Sequence, residues 1–266
     1  MNTPGFSWGR DDFKRELKRS SFAPGAIFLD SEARQDLEVF YAFCRAVDDS
    51  ADDFSAAEGR NYLIAWKRAL AKKPGASAPL LVRELWSLSQ RRQIPLSLLR
   101  ALVAAAASDL RPRVSFKTRK ELFKYCHGVA GVVGQACLPI FGINLRQGAA
   151  YAETLGLAFQ LINIVRDVRE DAALKRNYLA QDDLKKLGSP QAVVRAYATL
   201  AQGLLIRSDT LATVLPAQGL RPSRLMRALY GELLETMVAD ELQVFEKRYR
   251  LSAPKKAWII LKALLP

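Results

Sequence analysis

The sequence has 266 residues, of which 50% are hydrophobic, and this is enough apolar material for one substantial core. Lysine and arginine number 40 against 27 acidic residues, and the resulting net charge of +13 favours an anionic partner such as a phosphorylated substrate, a membrane surface or nucleic acid. Because the sequence has no arginine-rich tail, zinc-finger pattern or RNA-binding aromatic signature, we expect no nucleic-acid partner.

The N-terminal region and the cysteines indicate a reduced, intracellular protein. Residues 1–20 are polar and lack the apolar core of a secretory signal, and no apolar run approaches the ~18 residues of a membrane span. Cys44, Cys126 and Cys137 lack paired close spacing, which argues against a disulfide framework or a zinc site. We expect one domain over residues 1–266, in the cytoplasm or peripheral to the inner face of the membrane.

Helical spacing of apolar residues predicts an all-α fold. The first strong stripe begins after Asp30 and Ser31, which suit an N-cap, and it runs from Ala33 through Leu37 to Val47. Strand-like alternation is scarce. Further helices, separated by turn signals, are predicted near residues 58–72, 78–90, 95–110, 118–140, 147–172, 190–214 and 222–249.

The first predicted helix carries a polar stripe. One helical face carries Tyr41, Arg45, Asp48 and Asp52. The acidic residues are Asp48, Asp49, Asp52 and Asp53. Carboxylates at this spacing repel each other unless a cation neutralises them, so the pattern indicates a metal site.

A second polar stripe lies in the predicted helix near 147–172. Its members are Gln160, Asn163, Asp167 and Asp171. Apolar residues flank the stripe on both sides, so we expect this helix to be buried, with its polar groups satisfied by partners, water or an ion. Facing carboxylate stripes suit Mg²⁺, which prefers oxygen ligands and is commonly completed by substrate phosphates. Either stripe alone also fits a solvated helix face paired with Lys or Arg.

Three blocks resemble the signature blocks of the squalene and phytoene synthases. The blocks are Tyr41–Asp49, Tyr125–Gly134 and Asn163–Asp171, and they occur in the family's order and at its separations. The resemblance covers nearly the whole chain. It implies an isoprenoid-synthase helical bundle around a central apolar cavity, with the two aspartate motifs on facing helices at the cavity mouth.

The resemblance also implies roles for individual residues. The metal ligands it implies are Asp48, Asp49, Asp52, Asn163, Asp167 and Asp171. The substrate contacts are Ser21, Phe22, Arg45, Gln160, Asn163, Arg176 and Tyr178. The catalytic groups are Tyr41, Arg45, Tyr125 and Arg166. Leu157–Val168 and residues 193–215 are the expected lining of the prenyl cavity.

The implied function is that of a prenyltransferase using Mg²⁺, with Mn²⁺ as an alternative, to join two farnesyl diphosphates into presqualene diphosphate. We expect no use of NADPH, since no dinucleotide-binding glycine motif follows a strand. Alternatives are a phytoene synthase acting on geranylgeranyl diphosphate and a dehydrosqualene synthase. A catalytically silent partner at a membrane surface is a further alternative, but it would be expected to lose motif aspartates. The oligomeric state is left open.

Three local features extend the expectations. Family members commonly have Arg-x-Tyr-Leu-Pro after the second aspartate motif, whereas Ala180 follows Leu179 here, which leaves the shape of the covering loop open. The C-terminal residues 247–265 mix cations with Trp258 and aliphatic residues. This mixture predicts peripheral membrane contact, with a helix packed on the bundle as the alternative. The sole histidine, His127, has no cluster of polar partners in the sequence and is expected to be structural.

Overall fold

The computed structural model describes residues 5–52, 54–111 and 113–265, including their side chains except those of 51 and 52. In these ranges the chain is built from α-helices, and β pairing is limited to one bridge between Val114 and Arg176. The helices are α1 (Arg10–Arg19), α2 (Ser31–Asp52), α3 (Ala56–Ala69), α4 (Leu80–Arg91), α5 (Leu96–Ala106), α6 (Arg119–Cys126), α7 (Val132–Ile140), α8 (Leu145–Ala173), α9 (Gln181–Leu187), α10 (Pro190–Ala212), α11 (Ala217–Ala239) and α12 (Ala253–Leu264). The all-α prediction is confirmed, and the single-domain interpretation stays a prediction.

The predicted helices correspond to observed ones, with one clear error of extent. The segment predicted as helix over 222–249 ends as a helix at Ala239. Glu241 and Leu242 have positive φ angles of 54° and 57°, which a continuing right-handed helix does not allow. The error matters for function, because the chain beyond Asp240 is released from α11 and returns towards α8.

Apolar side chains form two buried clusters that meet at α7. The first contains Phe40, Phe43 and Trp66 and is built from the N-terminal helices. The second contains Leu161 and Tyr197 and is built from α6, α8, α10 and α11. Helix α7 packs against both α2 and α8. It therefore stands between the two helices that carry the aspartate motifs.

A π-helical turn over His127–Gly131 joins α6 to α7 and packs closely on α8. A Cβ on Gly156 of α8 would lie 2.8 Å from the carbonyl oxygen of Ala130, so a larger residue there would separate the two segments. His127 Nδ1 lies 2.6 Å from Glu153 Oε2 of α8. This contact gives His127 a structural role, and the widened turn brings Ala130 to the edge of the cavity described below.

All three cysteines are buried and unpaired, as the sequence predicted. Within the described ranges, no helix combines the length and the apolar character needed to cross a bilayer.

Candidate active site

Helix α8 supplies most of the polar groups of the candidate site. It begins after Asn144, whose Oδ1 accepts hydrogen bonds from the backbone N–H groups of Arg146 and Gln147 at 3.0 and 3.3 Å. The helix has 29 residues, and most of its apolar side chains are buried against its neighbours. Gln160 and Asn163 are half-buried and line a cavity. One continuous helix thus places the second polar stripe along the cavity wall.

The cavity lies between α7, α8 and α11. Together with its open mouth, it encloses about 780 Å³ of space between protein atoms. Its apolar lining includes Val129, Val133, Leu138, Phe141, Leu155, Phe159 and Met226. Its polar lining includes Ser21, Tyr151, Gln160, Asn163, Ser223 and Tyr230. The cavity can hold an apolar chain, with polar groups available to orient one end.

The predicted cavity lining is partly right. Phe159, Gln160 and Asn163 lie in the expected stretch 157–168, and Ser21 and Phe22 reach the cavity from the loop before α2. Residues 193–215, also expected there, do not line this cavity, because the wall opposite α8 is supplied by α11 through Met226 and Tyr230. Helix α10, which contains most of that segment, packs against α8 within the second apolar cluster instead.

Asn163 carries a buried oxygen that needs a partner. Its Oδ1 accepts no hydrogen bond from the part of the chain that the structure describes. Leaving such an oxygen uncompensated costs about 1–3 kcal/mol. An amide oxygen at a cavity wall, one turn from Asp167, is a suitable ligand for a hard cation such as Mg²⁺.

Asp167 is held by two guanidinium groups. Arg166 Nε donates to its Oδ1 at 2.8 Å, and a second nitrogen of Arg166 donates to its Oδ2. Arg248, from the chain beyond α11, donates from Nε to Oδ1 at 2.9 Å. Arg248 was not among the predicted site residues, since its position in a basic run reads as ordinary surface charge.

The carboxyl of Asp171 is half-buried and has other acidic groups near it. Burial, the nearby Asp167 and the more distant Asp109 raise the pKa of its carboxyl to about 7, although Arg176 acts in the opposite direction. Ionising this group is unfavourable unless positive charge compensates for it. Asn163, Asp167 and Asp171 together therefore fit a divalent cation.

The first aspartate motif lies on α2. Arg45 contacts Asp49 with a nitrogen to oxygen distance of 2.6 Å, one helical turn apart. The charge of Asp48 acts on the phenol of Tyr41. The side chain of Asp52 lies outside the described residues. Among the described side chains, the motif aspartates do not form a group of three acidic, histidine or cysteine residues.

Tyr41 links this motif to the cavity. Its ring lies 5.8 Å from the ring of Phe22, and Phe22 lines the cavity. Burial raises the pKa of the Tyr41 phenol to about 12, so it remains protonated at neutral pH. Tyr41 thus lies behind Phe22 of the cavity wall, as a neutral hydroxyl group beside charged neighbours.

Tyr125 and Tyr178 share an acceptor that sequence reasoning missed. The Tyr125 phenol donates to Asp109 Oδ2 and the Tyr178 phenol to Asp109 Oδ1, both at 3.1 Å. The two rings stack with centroids 5.4 Å apart. Burial and the Asp109 charge raise the pKa of both phenols above the ordinary tyrosine value. Asp109 is a lone acid after an alanine-rich helix, and no motif spacing marks it.

The loop after α8 is organised without the family's proline. The Asn177 N–H donates to the Val114 carbonyl oxygen at 2.8 Å, which fixes the chain beside Arg176. The Ala180 N–H donates to the hydroxyl of Tyr197 at 3.2 Å, a bond that proline has no hydrogen to make. Tyr178 therefore reaches Asp109 in a loop that is held by hydrogen bonds.

A basic vestibule adjoins the cavity. Its lining includes Ser21, Arg166, Tyr230, Arg248, Arg250 and Lys256, and it shares Ser21 and Tyr230 with the cavity. Positive charge beside an apolar cavity suits an amphiphile with an anionic head and a hydrocarbon chain.

Comparison with known proteins agrees with this geometry. A family model described as squalene/phytoene synthase matches residues 17–255. Presqualene diphosphate synthase from Zymomonas mobilis is 32% identical over 263 residues, covering 92% of this chain and 89% of that protein. Phytoene synthase from Mycobacterium tuberculosis is 31% identical over 261 residues, covering 92% of this chain and 86% of that protein.

Solved structures share the fold. A dehydrosqualene synthase in complex with a ligand superposes with a TM-score of 0.82 at 24% identity, covering 97% of this chain and 95% of that one. A squalene synthase from Alicyclobacillus acidocaldarius superposes with a TM-score of 0.76 at 24% identity, covering 87% and 94%.

Proposed function

Because the chain belongs to the squalene/phytoene synthase family, whose members are prenyltransferases that join prenyl diphosphates head to head, we propose that it condenses two farnesyl diphosphates to presqualene diphosphate with Mg²⁺. The observation that carries the proposal is the apolar cavity joined to the basic vestibule through Ser21 and Tyr230. The choice of product is supported by presqualene diphosphate synthases from Zymomonas mobilis and Sinorhizobium fredii, at 32% and 30% identity.

The vestibule would receive the diphosphate of the substrate that ionises. Arg166, Arg248 and Lys256 place positive charge where negative charge develops as the allylic C–O bond breaks. Mg²⁺ held by Asn163 and the motif aspartates would supply further positive charge that balances the departing diphosphate. Val133, Leu155 and Phe159 exclude water, which would otherwise capture the allylic carbocation.

The second prenyl chain supplies the electrons for the new bond. Its double bond attacks the carbocation, and loss of one proton closes the cyclopropane ring of presqualene diphosphate. Tyr125 and Tyr178 are neutral phenols whose hydroxyl groups are oriented by the Asp109 carboxylate. Both phenols lie outside the lining of the apolar cavity, with Tyr178 in a cleft beside Asp171, and we propose that they relay that proton to the released diphosphate.

We propose that the reaction stops at the cyclopropyl diphosphate. The test incubates the purified protein and Mg²⁺ with farnesyl diphosphate, with and without NADPH, and identifies the lipid products by mass spectrometry. Presqualene diphosphate is expected under both conditions, and no product is expected after chelation of the metal. Squalene as the main product with NADPH would show that this chain also performs the reduction.

The runner-up is a phytoene synthase. It is favoured by the 31% identity to phytoene synthase from Mycobacterium tuberculosis, which is close to the value for the presqualene enzyme. A parallel incubation with geranylgeranyl diphosphate separates the two. Phytoene formation at a higher kcat/KM than any product from farnesyl diphosphate would replace the leading proposal. Failure to release diphosphate from either substrate would favour a catalytically silent relative.

A further inference from the structure

The C-terminal helix α12 has apolar side chains on two opposite faces. Its inner face packs against α11 through the half-buried residues Ile259, Ile260 and Ala263. Its outer face carries Trp258 and Leu261, and Leu265 follows directly after the helix; these residues are 56%, 50% and 61% exposed, respectively. A helix that only packs on a bundle has polar residues on its outer side. The outer face of α12 is instead an apolar strip, and no part of the chain that the structure describes covers it.

Positive charge surrounds this strip. The segment 247–265 contains six cations and no acidic residue. Ion pairs with Asp240, Asp167 and Glu232 compensate three of these charges. The ammonium group of Lys262 lies 5.1 Å from the centre of the Trp258 ring, so charge and aromatic surface are presented together. This combination is typical of helices that lie in the interface of an anionic bilayer.

The position of α12 relates the strip to the candidate site. Lys256 in the first turn of α12 lines the basic vestibule, together with the preceding residues Arg248 and Arg250. The vestibule in turn shares the lining residues Ser21 and Tyr230 with the apolar cavity. A surface that meets α12 would therefore lie beside the entrance of the cavity.

We propose that the outer face of α12 docks on the surface of an anionic lipid bilayer. Trp258, Leu261 and Leu265 enter the interface, and Lys262 contacts lipid phosphates. The charge of the chain, +13 overall, is complementary to such a surface. Docking here places the cavity entrance at the membrane, where prenyl chains and their products dissolve. Only this last link rests on the proposed function, since the docking itself requires no substrate.

The test measures co-sedimentation of the full chain with vesicles. Wild-type protein is expected to bind vesicles of phosphatidylglycerol and phosphatidylcholine, with weak binding to phosphatidylcholine alone. The double variant Trp258→Ser, Leu261→Ser should bind the anionic vesicles about tenfold more weakly, because two apolar groups leave the interface. The matched control Ile206→Ser, Val214→Ser removes two apolar residues that are 66% and 83% exposed elsewhere, and its binding should equal that of the wild type.

A second pair of variants tests the contribution of positive charge to vesicle binding. Lys262→Glu should weaken binding to anionic vesicles, whereas Lys72→Glu, an exposed lysine after α3, should leave it nearly unchanged. Equal binding of the wild type and the Trp258 and Leu261 variant would overturn the proposal. So would a dimer in sedimentation analysis that the same variant converts to a monomer, since the strip would then be covered by a second copy. Because no substrate is present, neither result depends on whether the chain makes presqualene diphosphate.

Discussion

Arg248 Nε lies 2.9 Å from Asp167 Oδ1, although the two residues are 81 positions apart in the chain. Asp167 belongs to the second aspartate motif on α8, and Arg248 belongs to the segment that returns from α11. The contact closes one side of the basic vestibule. It also places the guanidinium group of Arg248 at the wall of the vestibule, where we propose that the diphosphate of a substrate binds.

Replacing Arg248 by glutamine should therefore weaken use of the diphosphate substrate. A hydrogen bond to a charged group is worth about 1.5–3 kcal/mol, which corresponds to roughly a 10-fold to 100-fold loss in kcat/KM. Steady-state kinetics measures this loss, with Arg207→Gln on the exposed face of α10 as the control. An unchanged kcat/KM in the Arg248 variant would contradict a role in binding the diphosphate.

The aspartate motifs should be needed for turnover and not for folding. Asp48→Asn and Asp167→Asn each remove a carboxylate that we assign to Mg²⁺, and we expect turnover to fall roughly 100-fold in each. Helical content measured by circular dichroism should be unchanged. Asp11→Asn, at a fully exposed position on α1, serves as the control. Activity close to that of the wild type in both motif variants would refute the metal assignment.

Asp109 should act through the tyrosines that it holds. In Asp109→Asn, the phenols of Tyr125 and Tyr178 lose their common carboxylate acceptor, so their hydroxyl groups are no longer fixed. We expect kcat to fall roughly 10-fold to 100-fold with little change in KM. Tyr178→Phe should show the same split between kcat and KM, and Asp209→Asn at an exposed position should show neither. A loss confined to KM would point to substrate binding instead.

A partly buried ion pair at α9 should make stability depend on pH. Asp183 accepts hydrogen bonds from Arg119 at 2.8 and 2.5 Å and from the Tyr197 hydroxyl at 2.8 Å. Burial alone would raise the pKa of Asp183, but these hydrogen bonds outweigh burial and lower it. Its stabilising contribution is therefore present above the unfolded pKa of about 4 and is lost as the pH falls through the folded pKa.

We expect Asp183→Asn to lower the free energy of unfolding by about 1–3 kcal/mol at neutral pH. The difference from the wild type should be smaller at about pH 3 than at neutral pH, because this stabilisation is lost progressively below the unfolded pKa of about 4, as the pH falls towards the lowered folded pKa. Urea unfolding at both pH values measures this, and Asp209→Asn, in an exposed pair with Arg227, should differ from the wild type by less than ~1 kcal/mol. A difference that stays constant with pH would contradict the assigned charge state.

The local pattern of the sequence determined the two polar stripes. Tyr41 to Asp49 lie within α2 and Gln160 to Asp171 lie within α8, and side chains one turn apart in a helix share a face whatever the helix packs against. The all-α class followed from the same periodicity. The end of α11 was misplaced because residues 240–249 keep a helix-like composition while positive φ angles at Glu241 and Leu242 turn the chain away.

Tertiary packing alone decided which distant groups complete the site. Asp109 joins Tyr125 and Tyr178, Arg248 joins Asp167, and α11 lines the cavity in place of residues 193–215. None of these relations has a periodic signal, since each depends on how separate helices and loops pack around α8. Helical period is a property of a few neighbouring residues, whereas contacts across tens of positions are set by the burial of the whole apolar core.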